Sequence, residues 1–132
     1  MEGLSILGTA QTPLILFNPL IGNMEIKGRS IPDAPDDFWL PILNWFESYL
    51  IQPAPKTTFK IDLEYFNISS SKRILFLLYK LNELAERGLD VCVEWHYKAE
   101  DEDMFEVGQD YAYMVKVPFK FKEYNESDMA VA

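Results

Sequence analysis

The sequence is poor in the residues that build disulfides and metal centres. It holds one cysteine, Cys92, and one histidine, His96. A single thiol cannot close an internal disulfide, which fits a reducing compartment. Cys92 lies in an apolar run and reads as inert core packing. One histidine without a cysteine cluster cannot form a multi-histidine metal site, so neither a metal nor a cofactor is expected. No apolar stretch approaches the length that spans a bilayer, and no basic segment followed by a long apolar run opens the chain. Membrane insertion and a signal peptide are therefore not expected, and the expected location is the cytoplasm. Basic tracts are missing too: the formal net charge is −9, which disfavours nucleic acid and anionic membrane surfaces as partners.

Enzyme signatures are equally sparse. No G-x-x-x-x-G-K phosphate loop and no G-x-S-x-G nucleophile turn is present. A serine with His96 and Asp62 or Glu94 has the composition of a triad, but nothing in the spacing supports one. Intrinsic catalysis is not expected.

What is present is a core. Hydrophobic residues make up 48% of 132 positions and aromatics 14%, enough for one domain with a buried interior. Leu4–Leu7 reads as a short edge strand. Leu14–Phe17 and Met24–Lys27, separated by Asn18-Pro19 and Gly22-Asn23, read as a hairpin. Asp36 and Asp37 stand where a helix should begin. That helix carries Phe38, Trp39, Ile42, Leu43, Trp45, Phe46, Tyr49 and Leu50, with Pro41 expected in its first turn or at a kink. So many aromatics suit either deep packing or a surface that meets a partner.

Phe59, Ile61, Leu63 and Tyr65 alternate with Lys60, Asp62, Glu64 and Phe66, which predicts a strand with the first set on its apolar face. Ile74, Leu75, Leu77, Leu78, Leu81, Leu84 and Ala85 then recur at helical spacing up to Gly88. Leu89, Val91, Val93 and Trp95 alternate again. Acidic residues 100–103 open a further helix with Met104, Phe105, Val107, Tyr111 and Met114. Val115–Phe121 reads as a last strand, with Pro118 favouring an edge. The order β-β-β-α-β-α-β-α-β implies an α/β fold: a mixed β-sheet with α-helices packed against it. Residues 1–122 form one domain in this reading, and 123–132 a flexible acidic tail.

The centre of the chain is the strand-to-helix junction, Asn67-Ile68-Ser69-Ser70-Ser71-Lys72-Arg73. Serines there can cap a helix. The same place suits a phosphate, because free amides and the helix dipole favour negative charge. Lys72 and Arg73 are either solvated helix residues or phosphate partners. Asn67 either orients an acceptor hydroxyl or tolerates a tight turn. His96 is a structural histidine or, beside Trp95 and Tyr97, a partner contact.

Tyr65-Phe66-Asn67-Ile68-Ser69-Ser70-Ser71-Lys72, preceded by Asp62-Leu63, resembles the junction of the SiaC family of bacterial regulatory phosphoproteins. Gly8-Thr9 with Thr12-Pro13, Gly28-Arg29-Ser30 with Pro32, and Val93-Glu94-Trp95-His96-Tyr97 are similar to further pieces of that family, in the same order. The resemblance implies a STAS-like fold, like that of anti-sigma-factor antagonists, and a role in partner switching. It implies a protein kinase and a metal-dependent Ser/Thr phosphatase acting on the junction, with a diguanylate cyclase or another signalling protein as the regulated partner. The family's expected acceptor is a threonine, and this chain has Ile68 in its place, which carries no hydroxyl. Ser69 is therefore the expected phosphorylation site, with Ser70 second. Asn67, Ser71, Lys72 and Arg73 are the expected supporting residues, and Tyr65, Trp95, His96 and Tyr97 the expected partner-binding residues. The alternative is a constitutive protein- or small-ligand-binding STAS-like module without a switch.

Overall fold

Alternating side chains give this protein's sheet two unlike faces. The computed structural model describes residues 1–125. Six strands and three helices follow in the expected order: β1 (Leu4–Ile6), β2 (Leu14–Asn18), β3 (Asn23–Ser30), α1 (Pro35–Ile51), β4 (Lys56–Phe66), α2 (Ile68–Glu86), β5 (Asp90–Lys98), α3 (Glu102–Met114) and β6 (Phe119–Tyr124). The strands lie side by side in chain order. β1, β2 and β3 pair antiparallel, and β3 to β6 pair parallel. It is the mixed sheet that the sequence implies.

Phe17, Met24, Phe59, Val93 and Phe119 are cross-strand neighbours in one row. The first four are buried. Phe46 of α1 lies against Phe17 and Phe59, and Tyr111 of α3 lies against Trp95. Three crossovers step the same way along the sheet, so a common right hand puts all three helices on this face. The next row over, Leu16, Glu25, Lys60, Glu94 and Lys120, faces away from them. It is a run of alternating charge, with Lys60 and Glu25 paired at 3.4 Å.

The alternation predicted for β4 holds to Leu63 and then reverses. Leu63 pairs with Gly28 but Tyr65 pairs with Arg29, so Glu64 is an extra residue. A β-bulge of this kind flips every later side chain to the other face. Tyr65, expected on the apolar face, is 52% exposed. Phe66 turns inward and stacks on Tyr111 with ring centroids 6.5 Å apart. Gly28 takes φ +116° at this step, a conformation open to glycine.

The first helix starts at Pro35, next to the Asp36-Asp37 pair expected at its opening. Proline at the first helical position has no amide to leave unpaired. Pro41 instead sits inside the helix, where it withholds one backbone bond. Trp39, Phe46 and Tyr49 are buried and Phe38 and Trp45 half-buried, so most of the aromatic surface belongs to the core. The last strand is shifted as well. Val115–Pro118 is not strand, and β6 takes in Glu123 and Tyr124, which the sequence placed in the tail. β6 is an edge strand, as Pro118 suggested. Residues 126–132 of the proposed tail lie outside the described residues. Cys92 is buried in β5. Among the described residues, no helix is long and apolar enough to cross a membrane.

Candidate functional site: the serine junction

β4 ends by delivering Asn67 to the start of α2. Asn67 has extended backbone angles, φ −90° and ψ 178°, and its Oδ1 accepts the Ser70 amide at 3.0 Å. Asn67 is thus the helix cap, in neither a tight turn nor a left-handed one. Its own amide donates to the Ser30 carbonyl at 3.1 Å, tying the junction to the end of β3.

The three serines, alike in sequence, occupy three environments. The Ser69 hydroxyl is half-buried and donates to Asn67 Oδ1 at 3.1 Å. Ser70 is fully buried. Its hydroxyl donates to the Ser30 carbonyl at 3.0 Å and meets the Ser30 hydroxyl at 2.7 Å. With the Ser70 proton on the carbonyl, the Ser30 hydroxyl is the donor between the two. Ser71 bonds back to the Ile68 carbonyl at 3.0 Å. Ser70 therefore offers no surface to a modifying enzyme. It is a latch between β3 and α2, and Ser69 and Ser71 are the two hydroxyls left partly exposed, of which Ser69 is the one bonded to the cap residue Asn67.

Two cations follow. Lys72 is exposed. Arg73, one turn after Ser69, donates from Nη1 to the Ser69 carbonyl at 3.4 Å, and its Nη2 pairs with Asp36 in the first turn of α1. Tyr111 approaches from α3 and donates to the Ser71 carbonyl at 3.0 Å. Burial pushes its phenol pKa up to about 12, against a smaller lowering from hydrogen bonding with Ser71.

Of the expected partner contacts, Tyr65 stands at the junction and Ile68, 77% exposed, stands beside it. Trp95 does not belong with them. It is 1% exposed, donates to the Met104 carbonyl at 3.0 Å, and packs so closely under α3 that a Cβ on Gly108 would overlap its ring. Tyr97 is half-buried against Phe105, with centroids 4.9 Å apart. His96 points to the opposite sheet face and meets Glu94 at 3.2 Å. Asp62 accepts the Tyr124 hydroxyl at 2.9 Å across β5. The serines, His96 and Asp62 thus have separate partners and assemble no triad. No group of His, Cys, Asp and Glu fit to hold a metal occurs among the described residues. A groove of about 810 Å³ lies at the hairpin end of the sheet, lined by Leu16, Leu20, Ile21 and Lys60. It is a strand length, roughly 23 Å at 3.3 Å per residue, from the serines.

Sequence reasoning missed Ser30, Asp36 and Tyr111 as parts of the junction. Asp36 was visible only as an acid opening a helix, and Tyr111 only as an apolar residue. Their roles depend on contacts some 40 residues away in the chain.

A family model described as "SiaC family regulatory phosphoprotein" matches residues 6–124, which takes in every strand but the start of β1, and all three helices. The chain belongs to the SiaC family. An uncharacterized protein of Pseudomonas aeruginosa strain UCBPP-PA14 is 27% identical over 126 residues, covering 96% of this chain and 100% of that one. SiaC of Pseudomonas aeruginosa superimposes with a TM-score of 0.86 at 26% identity, covering 94% of this chain and 100% of that chain. SiaC also appears in a crystal structure of the diguanylate cyclase SiaD in complex with its activator SiaC from Pseudomonas aeruginosa. That structure matches with a TM-score of 0.86 at 26% identity, covering 92% of this chain and 99% of the matched one.

Proposed function

We propose that this SiaC-family protein is a non-enzymatic signalling adaptor of the cytoplasm, switched by phosphorylation of Ser69, that binds and regulates a diguanylate cyclase. The observation that carries the reading is the exposure pattern of the junction. Ser70 is buried, Ser69 is a partly exposed hydroxyl in the first turn of α2 next to the position of the family's acceptor, and Tyr65 and Ile68 near it are exposed. The SiaC of Pseudomonas aeruginosa, a relative of the same fold, is the activator of such a cyclase.

A kinase would transfer the γ-phosphoryl of a nucleoside triphosphate to Ser69 Oγ. An O–P bond forms, the diphosphate leaves, and the hydroxyl proton goes to solvent. A metal-dependent phosphatase would hydrolyse the ester back to the hydroxyl and inorganic phosphate. The phosphoryl group adds about −1.5 to −2 charges. A contact formed around a neutral hydroxyl, Tyr65 and Ile68 then has to bury that charge, and a loss of a few kcal/mol weakens it several hundredfold.

A second reading rests on Ile68. The hydroxyl expected there in the family is missing, which favours a constitutive binding module. Intact-mass and peptide mass spectrometry of protein from its own cells, with and without phosphatase, separates the two. Phosphate on Ser69, with loss of cyclase binding on its addition, is the expected result. No phosphate under several growth conditions, together with no transfer from a co-encoded kinase, overturns the switch and leaves the constitutive module.

A further inference from the structure

Arg73 is shared between two helices in the unmodified protein. It is the more sheltered member of its ion pair: its side chain is 25% exposed, against 86% for Asp36. Its other guanidinium nitrogen already lies over the Ser69 carbonyl at 3.4 Å. So the cation is held on α2, and the carboxylate comes to it from α1.

Apart from the packing of Phe38 and Trp39 into the core, the start of α1 has few contacts to hold it. Ala34 at the cap position provides no side-chain bond. Pro41 has no amide to give the Asp37 carbonyl. The first regular bond is the Phe38 amide to the Ala34 carbonyl at 3.1 Å.

Esterification of Ser69 changes the local donors. The hydroxyl proton that now goes to Asn67 Oδ1 is lost. Asn67 Oδ1 stays committed to the Ser70 amide. The phosphate thus meets an acceptor on the Asn67 side and must turn to donors. Residues four apart on a helix share a face, and Arg73 is four after Ser69. A guanidinium binds a phosphate dianion with two parallel bonds, more strongly than it binds one exposed carboxylate.

We propose that Arg73 is the cation of the switch: phosphate on Ser69 takes it from Asp36 and thereby frees the first turn of α1. Asp36 is then left beside a new dianion without its cation, so repulsion adds to the release. The modification is read at two helix starts instead of one. This inference rests on the assignment of Ser69 as the acceptor, but its test does not need a cellular kinase.

The full chain is made with phosphoserine installed at position 69 during synthesis. Phosphorus NMR follows the phosphate titration, and hydrogen exchange follows the Phe38, Trp39 and Leu40 amides. With Arg73 in place, the phosphate midpoint is expected about 0.5–1 pH unit below that in Arg73→Gln. Exchange at the three amides is expected to rise about tenfold on phosphorylation of the native sequence. In unmodified Arg73→Gln it is already fast, and phosphate changes it less than about twofold. Asp36→Asn keeps Arg73 and supplies the same control if Arg73→Gln does not fold; its unmodified form is expected to exchange fast. Equal midpoints, or α1 amides indifferent to the phosphate, overturn the proposal. Absence of phosphate from Ser69 in cells defeats the switch reading instead, and leaves the response to the installed phosphate intact.

Discussion

The starts of α1 and α2 lie against each other and are held by opposite means. α2 begins on a side-chain cap, Asn67, and is latched from below by Ser70 to Ser30 and from the side by Tyr111. α1 begins on Ala34, which caps nothing, and its start has one ion pair at the surface and the core packing of Phe38 and Trp39. One helix start is therefore pinned by side-chain hydrogen bonds, and the other is tied more loosely, by one ion pair beside its core packing. A phosphorylation site needs the first, so that the acceptor is presented in one geometry. A readout needs the second, because only a weakly held element responds to a small change in charge.

Substitutions can break or sharpen this contrast. The largest effect is expected at Ser70. Ser70→Ala leaves the buried Ser30 hydroxyl short of a partner and should cost about 1–3 kcal/mol, read as a lower midpoint in urea unfolding. Ser69→Ala, on the same turn but nearer the surface, should stay within about 0.5 kcal/mol of the native protein. If the two variants unfold alike, the buried latch does not exist.

Asn67→Ala removes the cap and should cost about 1 kcal/mol in the same measurement, with faster exchange confined to the start of α2. Uniform loosening of both helix starts would blur the contrast.

Tyr111→Phe should cost about 1 kcal/mol at neutral pH, the usual worth of one buried hydrogen bond. Its pH signature is more telling. The folded phenol pKa is raised above its ordinary value of 10 to about 12, because burial disfavours the phenolate. The folded protein then holds a proton that the unfolded chain loses. Stability from this group is complete below pH 10 and is lost as pH climbs to about 12. Thermal melts across that window should fall less steeply for Tyr111→Phe. A residual slope belongs to Tyr124, whose pKa is also raised, first by burial and then by its bond to Asp62, and to Lys80, raised first by its bond to Glu47.

The smallest effect is a gain. Ala34→Ser offers α1 the cap it lacks and should add about 0.5 kcal/mol. In protein carrying phosphoserine at 69, it should also reduce the release of α1 amides. If the Ala34→Ser variant releases them as fully as the native sequence does, the missing cap is irrelevant to the response.

Much of this was legible in the chain. The order of elements follows from period-two and helical spacing, and the serine cluster marks the junction without any coordinates. The reversal at Glu64 was not legible, since an extra residue in a strand carries no local signature. Its trace is Gly28 on the neighbouring strand, and only the pairing connects them. Pro41 left two placements open for α1, in its first turn or inside it; it lies inside, where burial of Trp39, Ile42 and Phe46 on either side carries the helix through it. The split among the three serines was hidden for a similar reason. Helical periodicity alone does not say which of three consecutive residues meets β3, and the partner that decides it, Ser30, is 40 residues earlier.

Strand order also bears on how the protein is made, because the strands are ordered in space as they are in sequence. No strand has to be inserted between two that have already paired. During synthesis each helix and strand leaving the ribosome can be added to the growing edge, and β6 arrives last with nothing left to displace. The assembly line runs in one direction, and the latch between Ser30 and Ser70 can close before α3 and β6 have emerged.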